Sequence, residues 1–418
     1  MYVKRVLPNG VRIISERLDN VRTVSVGIWV GNGSRYEPAE LNGISHFIEH
    51  MIFKGTEKRS ARHIAIAIDA LGGQANAFTD KECTCYYMKV LDSRLQTGIA
   101  LLADMFLESR FAQEDIELER GVVLEEIDMY EDSPEDVAID KLFEKCYDGS
   151  ALGRPILGTE ETLAPITTEI MHKYMHEYYR PEDTVIAVSG HFTDEDLDYI
   201  ADLFSVMTGS GRNQTTPAVY KPSLVLRSKE IEQNHLCLSF PGVSALSEDR
   251  FTMNLLCNIL GGGMSSRLFQ EIREKRGLVY TINSFNQALK HAGVFGIYAG
   301  TTPKELEELL PVVADEIKKM MNDKVSETEL KRAKTQIKAS LLMSLESSST
   351  TAEIMARQML LFKRVIPTAE IVERIEAITA DDLQLLAQKI FTSTPTYALL
   401  GCEGGTYPSY DDVKALLK

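Results

Sequence analysis

Residues 43–56, GISHFIEHMIFKGT, hold three side chains that could act together on a metal: His46, Glu49 and His50. Taken as a helix, the stretch sets Ile44, Phe47, Ile48, Met51 and Ile52 on one apolar stripe at three- and four-residue steps. His46, Glu49, His50 and Phe53 fall on a second face. Residues four apart on a helix are neighbours, so the two imidazoles can close on one small cation. Neutral imidazole is a standard zinc ligand. Glu49 lies one turn from His46, within reach of a water on such an ion. Two neutral ligands, an open position and an adjacent base are what a metal-dependent hydrolase requires. A helical His pair also occurs as a solvated or core pair, so a third protein ligand has to come from elsewhere in the chain.

The acidic residues 114–140 offer one. Val123, Ile127 and Tyr130 mark a buried helical face there. Glu119 and Glu126 are nearly two whole turns apart and point the same way, with Glu125 about a quarter-turn off their line. The spacing nominates Glu126 as the ligand and Glu119 as a carboxylate orienting the site. Solvated surface carboxylates would satisfy the same spacing in so acidic a helix.

The order His-x-x-Glu-His inverts the commoner His-Glu-x-x-His and resembles the signature of the pitrilysin and mitochondrial processing peptidase family of zinc metallopeptidases, the inverzincins. In that family the third ligand is a Glu about 76 residues beyond the second His, and Glu126 stands 76 residues after His50. Glu119 matches the family's accompanying Glu. GSRYE at residues 33–37, GGQANAFTDKECTCYY at 72–87 and LGGGMSSRLFQEIREKRGLVY at 260–280 match as well. The resemblance covers nearly the whole chain and is to a processing peptidase of bacterial type. It implies one zinc per chain on His46, His50 and Glu126. It makes Glu49 the base that takes a proton from the attacking water and delivers it to the leaving amine.

Further roles follow from the resemblance. Asn76, Ala77, Phe78 and Thr79 correspond to a substrate-binding edge strand, where an extended peptide gains main-chain hydrogen bonds; an ordinary half-buried edge is the plainer reading of the same residues. Arg273 and Tyr280 correspond to the family's pair that holds substrate carbonyls and stabilises the oxyanion. Asp136 and Asp140 stand where mitochondrial processing peptidases carry acids contacting an Arg near the cleaved bond. The competing reading makes them helix-start acids after Ser133-Pro134. Four-unit relatives imply that a two-unit chain forms a homodimer, the zinc of one subunit facing Arg273 and Tyr280 of the other. Some relatives are non-catalytic structural or partner subunits that have lost zinc-site residues. His46, Glu49, His50, Glu126, Arg273 and Tyr280 are all present here, so the expectation is a zinc endopeptidase with peptide substrates.

A chain of 418 residues is long for one core and suggests two or more domains. Its 44% hydrophobic and 25% charged content is that of a globular protein. No apolar run approaches a bilayer span, and the first residues, MYVKRVLPNGVRIISE, carry no secretory apolar segment. The expected location is the cytoplasm, away from membranes. A net charge of −16 argues against nucleic acid or an anionic membrane as a partner and favours cationic ligands where it lines a cavity; plain solubility is the alternative reading. Of six scattered cysteines only Cys83 and Cys85 are close; they read as small hydrophobes on one strand face, not as a disulfide framework.

The elements that must position these residues repeat. Residues 166–190 have a partner in 378–401, and residues 207–222 are rich in Gly, Thr, Asn and Pro. The expected organisation is a zinc-binding domain at 1–208, a linker at 209–217 and a homologous domain at 218–418. The fold class is α+β, each half a mixed, mostly antiparallel sheet with helices packed on one side. Residues 253–263, the counterpart of the zinc helix, contain no His or Glu, so the metal belongs to the first half. His172 and His176 are also four apart, but no third ligand is positioned for them.

Overall fold

Apolar side chains sit on both faces of the strands Thr23–Val30 and Thr184–Gly190, and nearly every residue in them is buried. Strands of that kind belong in the interior of a sheet covered on both sides. In a computed structural model of the chain, which describes residues 2–211, 215, 217–403 and 407–418, they lie side by side. The first sheet comprises β1 (Tyr2–Val6), β2 (Arg12–Arg17), β3 (Thr23–Val30), β4 (Gln74–Thr79), β5 (Thr84–Leu91) and β6 (Thr184–Gly190), ordered β1-β2-β6-β3-β5-β4. Only β2 and β6 pair in parallel. A hairpin turn at Asn9-Gly10 joins β1 to β2, with Gly10 at φ +101°.

The second sheet comprises β7 (Leu224–Lys229), β8 (Asn234–Pro241), β9 (Thr281–Ala288), β10 (Gly293–Thr301) and β11 (Thr396–Cys402), ordered β7-β11-β8-β10-β9. Its one parallel pair is β7 with β11. Leaving out β1, the two sheets have the same strand order and the same pattern of directions. The repeated segments supply equivalent pieces: helix Thr168–Tyr178 with β6, and helix Ala380–Phe391 with β11.

Helices cover one face of each sheet. In the first sheet they include α1 (Ile44–Met51), α2 (Ala61–Leu71), α3 (Leu95–Leu107) and α4 (Gln113–Glu131), whose apolar residues join Val24, Val26, Ile28, Tyr86, Met88, Ile186 and Val188 in one core with those of helices Thr168–Tyr178 and Asp194–Phe204. The other face is not bare. Strand residues of opposite parity, Ile14, Trp29, Cys85, Val185 and Ala187, pack with Ala352, Met355, Ala356 and Met359 of the helix Ser348–Phe362. The spacing of those four helix residues is one apolar stripe. Ser25 Oγ meets Ser348 Oγ at 2.9 Å, and Arg12 Nη1 donates to Met359 O at 3.1 Å. In the second sheet the equivalent face, Cys237, Val294, Tyr298, Ala398 and Leu400, packs with Val137, Ala138, Leu142, Phe143 and Cys146 of α5 (Pro134–Cys146).

The two compact units therefore do not follow the chain's halves. The first holds Met1–Asp128, Arg154–Thr216 and Leu342–Ile366; the second holds Met129–Gly153, Pro217–Leu341 and Pro367–Lys418. Each half lends one helix to the other's sheet, which the division at 1–208 and 218–418 omits. Within the expected linker 209–217, residues 212–214 and 216 lie outside the described residues. All six cysteines are free, and Cys83 and Cys85 share the apolar cluster beneath Ser348–Phe362. Among the described residues no helix is long and apolar enough to cross a membrane.

Candidate active site

Gly43 opens α1 at φ +97°, and a Cβ there would meet Leu157 O at 2.5 Å, so glycine is required. The helix has no capping side chain of its own. Glu37, fully buried, performs that task from six residues upstream. Its Oε2 accepts from Gly43 N and Asn42 Nδ2, both at 2.8 Å, and its Oε1 from Ser45 N at 2.9 Å. Burial pushes the Glu37 carboxyl up, and the bonds from Gly43, Ser45 and Asn42 pull it back. A carboxylate on the first-turn N–H groups fixes where α1 begins. Ile44, Phe47, Ile48 and Met51 then lock its apolar stripe into the core. α1 ends at Met51, earlier than the residue 43–56 reading. Phe53 N and Lys54 N bond three residues back, tightening the last turn before Gly55 turns to φ +146°.

The face opposite the stripe carries the chemistry. His46 and His50 have ring centroids 4.6 Å apart. His50 Nδ1 lies 2.9 Å from Glu119 Oε1, so that nitrogen donates and Nε2 keeps its lone pair. Glu119 is buried and also pairs with Lys54. Glu126 Oε2 is 3.4 Å from His50 Nε2 and 3.6 Å from His46 Nε2. Two atoms bound to one zinc at the usual lengths and a tetrahedral angle stand roughly 3.3 Å apart, so these donors fit the ion. Burial, and then His50, push the His46 imidazole down to about 3, which keeps it neutral as a ligand must be. His46 lacks the support His50 has: its buried Nδ1 meets no hydrogen-bond partner among the described residues. Glu125 is exposed. Among the described residues no other group of three His, Cys, Asp or Glu donors comes together; His172 packs against the Phe111 ring at 5.0 Å.

Glu49 stands beside this triad. Its Oε2 accepts from Thr79 Oγ1 at 2.7 Å. Burial pushes its carboxyl above the usual range, opposed by the Thr79 bond and by His50, while Glu126 adds to the rise. A carboxylate raised toward neutrality suits a general base.

Residues 12–160 match the model for insulinase (peptidase family M16), and residues 165–337 match the peptidase M16 inactive domain. The Bacillus subtilis (strain 168) protein named uncharacterized zinc protease YmxG is 41% identical over 400 residues, covering 95% of this chain and 97% of that one. A Streptomyces coelicolor protein, uncharacterized zinc protease SCO5738, is 36% identical over 409 residues, covering 94% and 88%. The chain belongs to peptidase family M16. In fold it is similar to a protease from Helicobacter pylori of known crystal structure, with a TM-score of 0.90 at 22% identity over 96% of this chain and 99% of that one.

The remaining residues expected from the M16 resemblance fall in several places. Asn76, Ala77, Phe78 and Thr79 lie on β4, the last strand of its sheet. Arg273 and Tyr280 belong to the second unit, where a π-helical turn, Phe269–Glu274, leads toward β9. The guanidinium lies 4.8 Å from the Phe269 ring and 5.3 Å from the Tyr280 ring, and Tyr280 is 75% exposed. Asp136 and Asp140 are also in the second unit, on α5. The Ser133 hydroxyl donates to Asp136 Oδ2 at 2.6 Å, and Asp136, unlike Asp140, stands in the first turn of α5. Tyr130, expected on the buried face of α4, is exposed; partial burial, then Asp140 and Asp136, push its phenol up to about 12. Sequence reasoning assigned no task to Glu37 or Lys54. GSRYE, which contains Glu37, was a visible motif, but a cap six residues ahead of its helix matches no ordinary capping pattern.

Proposed function

We propose that the chain is a zinc-dependent endopeptidase that cleaves peptides bound as an extended strand along β4. The observation that carries this reading is the meeting of His46 Nε2, His50 Nε2 and Glu126 Oε2 at 3.4–3.6 Å with Glu49 alongside. Those three residues would hold one zinc, which when bound supplies Lewis-acid activation of water and of the scissile carbonyl. Glu119 orients His50 through Nδ1, and Lys54 pairs with Glu119. Glu49 accepts a proton from the attacking water and returns it to the departing amine. The outer edge of β4 has no partner strand among the described residues, so its main chain can pair with a peptide of any sequence. We further propose a homodimer in which Arg273 and Tyr280 of a partner subunit complete the site, and a preference for basic peptides supported by the net charge of −16.

The test is digestion of a mixed peptide library with and without a chelator, alongside metal analysis of variants. Glu49→Gln is expected to keep one zinc per chain and lose about 10²–10⁴-fold in rate. His50→Phe is expected to lose the metal. A metal-free Glu49→Gln protein, or full zinc in His50→Phe, would refute the assignment. The competing reading, a non-catalytic subunit, is favoured by intact zinc with no cleavage of any peptide.

A further inference from the structure

The side chains of β4 divide between two jobs. Phe78 turns to the sheet face covered by Ser348–Phe362, with its ring 5.4 Å from Trp29 and 6.4 Å from Tyr87. Thr79 turns to the face of α1, where its hydroxyl reaches Glu49. The turn that follows Thr79 is fixed at several points. Asp80 Oδ1 accepts from Glu82 N and Cys83 N, both at 2.7 Å, and Asp80 Oδ2 accepts from Arg357 Nη1 at 2.8 Å. Asp80 O accepts from Ser34 N at 3.1 Å, and a Cβ on Gly33 would come within 2.3 Å of the same oxygen. The Arg357 guanidinium in turn lies 5.3 Å from the rings of Trp29 and Phe78. Thr79 is thus delivered to Glu49 from a turn held by β5, by the segment after β3 and by a helix from the other half of the chain.

We propose that Thr79 is a positioning residue for Glu49. Its hydroxyl fixes Oε2 and so sets the plane of the carboxylate, leaving Oε1 as the proton acceptor. A carboxylate otherwise rotates broadly about its last torsion, and a base must be aimed as well as present. The role is distinct from peptide binding by the β4 main chain, and it rests on the reading of Glu49 as the base.

Three variants test it: Thr79→Val, which keeps shape and loses the hydroxyl, Thr79→Ala, and Thr79→Ser, which restores the hydroxyl. Thr79→Val and Thr79→Ala are expected to lower kcat by about ten- to a hundredfold with KM within about twofold of wild type. Zinc content should stay at the wild-type level, and Thr79→Ser should recover most of the rate. In crystals of Thr79→Val the Glu49 carboxylate should spread over more than one orientation. A raised KM at unchanged kcat would make Thr79 a substrate contact and overturn the proposal, as would wild-type kcat without the hydroxyl. A single, unchanged Glu49 orientation in Thr79→Val would also overturn it. Should the wild-type protein cleave nothing, the endopeptidase reading falls by itself, and the crystallographic comparison still decides whether Thr79 orients Glu49.

Discussion

The two units share a strand order and differ in what one helix carries. In the first, α1 reads ISHFIEHM and rests against β4. In the second, Arg250–Gly261 reads RFTMNLLCNILG and rests against β9. Both helices bury an apolar stripe: Ile44, Phe47, Ile48 and Met51 in one, Met253, Leu256, Ile259 and Leu260 in the other. The stripe is what the fold demands, and the second unit stands with no His or Glu on that helix. The opposite face is left to chemistry. In the first unit it is backed by Glu119 and Glu126 from α4. The equivalent helix of the second unit, Glu327–Ser344, begins ETELKRAK and carries basic residues among its acids. Scaffold and site are therefore separable, and changes to one should leave the other standing.

The largest effect should come from the ligand register. Glu126→Gln is expected to lose zinc and drop peptide cleavage to background, while Glu125→Gln stays within about twofold of wild type; neither should shift the unfolding midpoint of the second unit. Equal losses in the two variants would break the assignment. Next, inactive Glu49→Gln and inactive Arg273→Ala proteins, mixed under conditions of subunit exchange, should recover activity to about a quarter of wild type, since half the dimers then hold one intact site. No recovery after confirmed exchange, or full activity in a monomer, rules out completion in trans. Of intermediate size, Met359→Ala and Leu142→Ala should each cost about 2–5 kcal/mol. Hydrogen exchange should find the first loosening the first sheet and the second loosening the second sheet; the reverse pattern would contradict the exchange of helices. The smallest effect is expected at Asp136→Asn, where the preference for Arg- over Glu-containing peptides should weaken a few-fold at low salt and by less at high salt, where the wild-type preference is itself screened. Indifference of the wild-type enzyme to that choice removes Asp136 and Asp140 from the substrate site.

Much of this was readable in the sequence, and the rest was hidden for physical reasons. Strand-forming residues mark Thr23–Val30 and Thr84–Leu91, and Gly72-Gly73 ends Ala61–Leu71, because strand preference and helix stops are local properties. The convergence of Glu119 and Glu126 on one side of α4 follows from helical pitch alone. The destination of α5 and Ser348–Phe362 does not. An apolar stripe says that a helix is covered, but nothing in its period names the sheet that covers it. Tyr130 fails for a related reason: α4 passes from the first unit to the second at Asp128–Met129, so one buried face cannot run its full length. Thr79 was grouped with its strand neighbours, and only the geometry shows that its side chain meets Glu49 while its neighbour Phe78 meets Trp29.

The lent helix also sets an order on biosynthesis. A ribosome that has released residues through 216 has supplied His46, His50, Glu126 and every strand of the first sheet. It has not supplied Leu342–Ile366, whose arrival covers Trp29, Ile14 and Val185 and brings Arg357 to Asp80. At ordinary elongation rates that wait lasts roughly ten to thirty seconds. During it the nascent unit has an open apolar sheet face and a turn at Asp80 that Arg357 has not yet reached. A sheet covered this way is complete only once residues 342–366 have been made, close to the end of synthesis.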